Sequence, residues 1–507
     1  MITVRPLAAN FRGATDCEYS FTAMPPAPQS LRLTQFVALG IFGGVFVFAP
    51  LAFGGTTWMT AWWIHAILLC AVLVWMADRL VTLRWAKVPW LCVVLVFCLG
   101  LLGASYYFNP RAIHQEDTWQ FIFRLAHHSW LPGSLDAAST GPVVWQLGAL
   151  GLSLLAMIDL AGDRRARWLL LRMVAASTLV VATIGIVQKA GGADAMLWAT
   201  PEQSGSVFFG AFRYHANAAS FLNLGWPAAL AVWIRSRRNR PQGLVTSLDL
   251  CSLVICMLAV FVNTSKAGHL LGIVGLLAAG IIFWRDLIPV GASKRVLALL
   301  AVLFLALFVI AVLPVFSGSM ERWNQLLATD GLSNGRVIAY RCWLTILPDS
   351  GWFGTGPGTF RLVFPYYVAP FAEIGNGVWT YAHQDYLQGL IEWGYLGFSL
   401  WVMLFGGAIV SGFLHLRARR KGVQVDLSTS VAMLALFLLL LHALVDFPLQ
   451  IPAVQCLVVF YLALLWSAGW RARRVIKGQK KPPSRKGDYI SSESDEVLIP
   501  RSKRDGA

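Results

Sequence analysis

Residues 88–107 read VPWLCVVLVFCLGLLGASYY, twenty residues without an Asp, Glu, Lys or Arg. A helix rises 1.5 Å per residue, so about 20 apolar residues cross the hydrocarbon of a bilayer. Arg84 and Lys87 flank this stretch on one side, and the other side opens into a polar segment. The same unit recurs along the chain. We read about twelve spans by this criterion: 33–53, 57–77, 88–107, 143–161, 168–188, 215–234, 247–264, 268–284, 296–316, 394–414, 429–447 and 452–470. Composition agrees: the 507 residues are 57% hydrophobic and 13% charged, with mean hydropathy +0.62. A soluble chain carries roughly 25% charged residues. The fold class is therefore all-α, a polytopic helical membrane protein in which lipid and neighbouring helices cover the apolar faces.

The positions of Lys and Arg set the orientation. Arg79, Arg84 and Lys87 share one set of connections with Arg164, Arg165 and Arg167, with Arg235, Arg237, Arg238 and Arg240, with Arg285, Lys294 and Arg295, and with Arg417, Arg419, Arg420 and Lys421. The alternate loops are poorer in basic residues. Basic loops stay in the cytoplasm, so both termini are expected there. Segments 108–142, 189–214, 264–267 and 318–393 are expected outside. A net charge of +16 distributed in this way follows topology and gives no nucleic-acid patch. Residues 1–32 read as a cytoplasmic tail with no signal-peptide core, 33–470 as the membrane domain, and 471–507 as a disordered cytoplasmic tail ending in mixed charge. The eight cysteines suggest no disulfide framework and no zinc spacing. No nucleotide fingerprint is present, and no metal site or cofactor is expected.

Segment 318–393 is the long polar interruption. Met320–Thr329 is amphipathic. Ser333 or Asn334 can cap a second helix that presents Arg336, Tyr340 and Trp343 on one face, with Pro348 just beyond its end. The run Gly351–Phe360 holds Gly354, Gly356 and Gly358, which suits either an anion nest of backbone N–H groups or a plain turn. His383 then stands at the head of an amphipathic helix with Asp385, Tyr386, Gln388 and Glu392. Imidazoles exchange protons near neutral pH, so His383 reads as a structural residue or as the acceptor of a hydroxyl proton. Arg213 and Lys266 lie where spans meet the outer surface, as snorkelling anchors or as ligands for an anionic headgroup. His442 and Asp446, four apart, are expected to pair with each other near the outer end of a span.

The order Asn334-Gly335-Arg336, Trp343, Pro348, Gly354-x-Gly356-x-Gly358-x-Phe360 and His383-x-Asp385-Tyr386-Leu387-Gln388, closing on Glu392-x-Gly394, resembles the O-antigen ligase/polymerase family. That family includes O-antigen ligases, Wzy-type polymerases and pilin oligosaccharyltransferases. The resemblance covers roughly residues 200–460. It implies a GT-C-like, lipid-dependent glycosyltransferase with a large periplasmic catalytic loop in a bacterial inner membrane. It implies an undecaprenyl-pyrophosphate-linked glycan donor, a glycan or lipid acceptor and metal-independent transfer to a hydroxyl. On it, His383 is the base, and Arg213 and Lys266 fall in the region of the pyrophosphate-binding cations, with Arg336 as a helper. Asp385, Tyr386 and the three glycines support the site. Lysine at 266 departs from the arginine common in the family and cannot make a bidentate fork. A flippase, a small-anion or inorganic carbon carrier and a structural subunit remain the alternative readings.

Overall fold

A computed structural model describes residues 31–198, 208–241, 243–287, 335–368, 370–371, 379–418 and 426–479. The expected span 296–316, the helix Met320–Thr329, and the greater part of both tails lie outside the described residues.

The chain builds an up-and-down bundle. Its helices are α1 (Leu33–Leu51), α2 (Trp58–Thr82), α3 (Trp90–Phe108), α4 (Ala137–Leu160), α5 (Arg164–Ala190), α6 (His215–Asn239), α7 (Leu244–Val262), α8 (Lys266–Leu287), α9 (Gly335–Ser350), α10 (Asp385–Ala418), α11 (Leu427–His442) and α12 (Pro452–Gln479). Among the described residues, nine are long and apolar enough to cross a membrane: α1–α5, α7, α8, α10 and α12. The protein is thus a mostly helical, polytopic membrane protein. Several starts are fixed by side-chain caps that satisfy the first free N–H groups. Asp136 accepts from Ser139 N at 2.8 Å before α4, and Asp163 accepts from Arg165 N and Ala166 N before α5.

Two expected spans differ from the sequence reading. Helix α6 is not among the nine, because it carries Asn217, Ser220 and Asn223. It nevertheless lies in the centre of the bundle, almost wholly buried. Several of its polar groups find partners there: Asn223 donates to the Gly268 carbonyl (3.1 Å), Ser220 to the Ala216 carbonyl (2.9 Å), and Tyr461 donates to the Leu224 carbonyl (2.7 Å). Helix α11 ends at His442 and is only 16 residues long; a turn through Asp446 replaces the rest of the expected span. Helix α12 also runs to Gln479, beyond the expected boundary at 470.

Ion pairs gather the basic connections at one end of the bundle. Arg79 meets Asp159 at 2.7 Å and Arg167 meets Asp426 at 2.6 Å, while Arg32 pairs with Asp78. The other end carries a separate cap. A hairpin pairs Ala112–Gln115 (β1) with Gln120–Phe123 (β2), a strand pair absent from the all-α expectation. Beside it α9, the glycine turn and the start of α10 close round a second core of Ala339, Cys342, Trp343, Ile346, Phe360 and Ile391. As expected, Tyr340 and Trp343 lie against each other, with ring centroids 5.1 Å apart. Pro348, expected beyond the helix, falls inside its last turn.

Gly394 joins this cap to the membrane part of α10. Its φ of 61° and ψ of −173° break the helix in a region only glycine occupies. A Cβ there would lie 2.3 Å from Gly354 N and 2.5 Å from Trp352 O, both backbone atoms. Gly394→Ala is therefore expected to destabilise the fold by about 2–4 kcal/mol. A lowered thermal midpoint of the detergent-solubilised protein checks this, and an unchanged midpoint contradicts it.

Candidate functional site

His383 precedes α10 by two residues rather than standing on the helix. Its φ is +52°, a left-handed conformation uncommon for a side chain other than glycine and concentrated at functional sites. The neighbours hold it there. Tyr340 donates its hydroxyl to the His383 carbonyl at 3.1 Å. The backbone N–H of Asp385 donates to the Ala443 carbonyl at 3.0 Å. The Asp385 carboxylate accepts from Leu449 N at 2.8 Å and from Gln450 Nε2 at 3.0 Å. Tyr386 donates to the Leu440 carbonyl at 2.8 Å. Asp385 and Tyr386 thus position the segment carrying His383 against the end of α11.

The imidazole is enclosed by aromatic rings. Phe447, Trp379 and Tyr214 stand edge-on to it at centroid distances of 4.7, 5.4 and 6.3 Å. Its Nδ1 is buried and lies 3.3 Å from Oδ1 of Asp446, within ion-pair range but off the line of a hydrogen bond. Asp446 is 3% exposed, whereas the His383 side chain keeps 26% of its surface. The accessible edge of the ring is therefore the one bearing Nε2. This corrects the expectation that Asp446 pairs with His442. The His442 Nδ1 lies 3.0 Å from Ser220 Oγ on α6, because α11 ends at His442 and the turn carries Asp446 round to His383.

His383 and Arg213 line one cavity of about 530 Å³, with Thr56, Tyr214, Asn217 and Tyr381. Arg213 is exposed, and its guanidinium lies 5.5 Å from the Phe53 ring centroid. Burial, with the nearby Glu392 adding to it, raises the pKa of the Tyr381 phenol, so the phenol stays neutral in the cavity wall. Lys266 opens α8 at the same end. It sits beside the start of α6, where Asn263 donates to the His215 carbonyl at 2.9 Å. It is half-buried and is not among the described residues lining the cavity. Arg336 falls in the first turn of α9, and its side chain lies outside the described residues. Sequence reasoning missed the aromatic lining, since Tyr214, Trp379 and Phe447 come from three separate stretches with no shared spacing.

The three glycines have another task than lining this cavity. Gly354, Gly356 and Gly358 take φ of 69°, 108° and 79°. The turn wraps the chain's own Glu392, which is 4% exposed. Glu392 accepts from Phe360 N at 3.2 Å, from Gln388 Nε2 at 3.3 Å and from the Gly358 N–H, while its carbonyl accepts from Gly356 N at 2.9 Å. The possible anion nest is thus occupied by an internal carboxylate. A Cβ at Gly356 would meet Ser134 Oγ at 2.3 Å, which shows how closely the turn packs on the start of α4. Among the described residues no group of three or more His, Cys, Asp or Glu could hold a metal ion.

Residues 251–402 match the family model described as O-antigen ligase. No curated protein matches the chain. The matched stretch contains Lys266, the glycine turn and His383, and it supports the O-antigen ligase family and, with it, glycan transfer at a membrane.

Removing the Glu392 carboxylate orphans the Phe360 and Gly358 N–H groups. Glu392→Ala is expected to cost about 1–3 kcal/mol and to speed proteolysis within 351–368. Glu392→Gln keeps an acceptor oxygen and should be milder. Equal midpoints for wild type and Glu392→Ala would contradict this account.

Proposed function

We propose that this chain, a member of the O-antigen ligase family through residues 251–402, transfers a glycan from a polyprenyl-diphosphate donor to an acceptor hydroxyl at the His383 end of the bundle. On this reading that end faces the periplasm and the basic end faces the cytoplasm of a bacterial inner membrane. The observation that carries the proposal is the shared cavity: an imidazole backed by Asp446 and a guanidinium at Arg213 face the same space.

The chemistry follows from those groups. The acceptor O–H loses its proton to His383 Nε2 as its oxygen bonds to the anomeric carbon. The bond from that carbon to the diphosphate oxygen breaks, and its electron pair leaves with the diphosphate. Proton transfer by one placed base contributes roughly 10²–10⁴ in rate. Asp446, beside Nδ1, orients the ring and stabilises the imidazolium that forms, the role an acid plays behind other catalytic histidines. Fixed cations stabilise charge growing on the leaving group. Arg213 supplies one at the cavity, and Lys266 and Arg336 are proposed as further partners of the diphosphate. The charge is carried by side chains, so no metal is invoked. Aromatic walls from Tyr214, Trp379 and Phe447 suit the apolar faces of a sugar ring, as in many ligand pockets. The transporter readings gain nothing from these observations. Ligase and polymerase differ in the acceptor, and the proposal covers both.

The test is transfer from a lipid-diphosphate-linked glycan in proteoliposomes. His383→Ala should lower turnover by about 10²–10⁴ with the thermal midpoint preserved; full activity would overturn the base assignment. Asp446→Asn should cost less, about ten- to a hundredfold, mainly in kcat. Arg213→Gln should reduce transfer more than Lys266→Gln, and the reverse order would move the diphosphate away from the cavity described above.

A further inference from the structure

At the end of the bundle away from His383, Arg167, Arg235 and Arg471 gather round Asp426, with Arg164 and Arg172 beside Arg235. Asp426 caps α11 and takes Nε and Nη2 of Arg167 on a single oxygen at 2.9 and 2.6 Å. Arg471 of α12 interacts electrostatically with both Arg167 and Asp426. Arg235 of α6 interacts with Arg164, Arg172, Arg167 and Asp426. Asp163, in the adjoining sequence, has its carboxylate engaged in capping α5.

This excess of charge coincides with buried donors that have no acceptor. Nη1 of Arg235 and Nη2 of Arg471 are buried without a hydrogen-bond partner, as are both ring nitrogens of His415 and the indole Nε1 of Trp168. His415 is 4% exposed and interacts with Arg471, Asp426 and Arg167. The Arg235 guanidinium lies 4.1 Å over the Trp168 ring. By contrast, Arg167 is saturated, its Nη1 donating to the Ala161 carbonyl at 2.7 Å. A buried donor without an acceptor is destabilising, more so when charged, and arginine cannot shed its proton. The group that answers several such donors at once is an anion with three or more acceptor oxygens, which arginine grips in bidentate fashion.

We propose that Arg235 and Arg471, with Arg164 and Arg172 at the rim, bind the phosphate of an anionic phospholipid headgroup. The donors come from α5, α6 and α12 where these helices leave the apolar part of the bundle, the level at which headgroups lie. Exposed Arg164 and Arg172 face the surface from which a lipid enters. Basic pockets between spans hold acidic lipids in this manner. The site is remote from the transfer chemistry and stands whether or not that chemistry is correct.

The experiment uses the full chain in micelles of a neutral detergent and reads the thermal midpoint by tryptophan fluorescence. Phosphatidylglycerol should raise the midpoint by several degrees through binding to the folded state. Phosphatidylcholine and inorganic phosphate should raise it far less. R235Q and R471Q should each remove half of that shift or more. Arg238→Gln, whose partner is Asp286, should leave it intact. If either variant folds poorly, native mass spectrometry of the wild type in competition between the two lipids replaces it, with retention of phosphatidylglycerol expected. Equal shifts or equal retention for both lipids, or an undiminished shift in R235Q and R471Q, overturns the proposal. A response to inorganic phosphate as large as that to phosphatidylglycerol overturns the lipid assignment. A chain ending at Gln479 should keep its response. If that truncation instead lowers the midpoint and abolishes the response, the acidic run Ser491–Glu496 fills the site and the lipid assignment falls.

Discussion

Two buried carboxylates, Asp385 and Glu392, brace the first turns of α10 from opposite sides. Asp385 holds the turn after α11 through Leu449 N and Gln450. Glu392 holds the glycine turn through Phe360 N and Gly358 N. Burying a carboxylate is costly unless hydrogen bonds answer its lone pairs. Each here accepts two or more, so neither loop can move without leaving buried polar groups unpaired. His383 sits immediately before this braced segment. Its position relative to Asp446 and Arg213 follows from the constraint.

The braced segment also divides the protein into two working surfaces. Above it, aromatic rings from three parts of the chain close round one imidazole. Below it, α10 continues past Gly394 as a membrane helix packed on α3, α11 and α12. The change of direction at Gly394 lets a single helix serve both the cap and the bundle. At the far end the balance is reversed. There the carboxylates are outnumbered, and arginines compete for backbone carbonyls such as that of Ala161, which accepts from both Arg167 and Arg471. The molecule thus presents a shaped cavity with few charges at one end and a cationic surface at the other.

The central position of α6 has a related cause. Its Asn and Ser side chains would be costly against lipid, and Asn223 reaches the Gly268 carbonyl and Ser220 reaches His442 only when neighbouring helices surround it. A hydropathy test alone therefore rejects α6 as a span although its length suits one. The same reasoning explains α11. A 16-residue helix is too short to cross by itself, and it is completed by the turn through Asp446 that reaches His383.

The class, the alternation of spans, the grouping of basic loops and the candidates His383 and Arg213 were legible in the amino-acid order. Hydropathy over some 20 residues and the placement of Lys and Arg are local properties, dictated by the solvent each segment meets. Asp446 was visible as an ionisable residue near a membrane boundary, yet local spacing assigned it to His442. Which acid backs which imidazole depends on where α11 stops and how its following turn packs, and both are set by contacts between segments far apart in the chain. The glycine turn is a parallel case. Its residues suited either an anion nest or a plain turn, and only the folded arrangement brought Glu392 into it. Sequence fixes which groups are available to the site, and tertiary packing decides which of them meet, because burial obliges each polar group to take whatever partner the fold brings within reach.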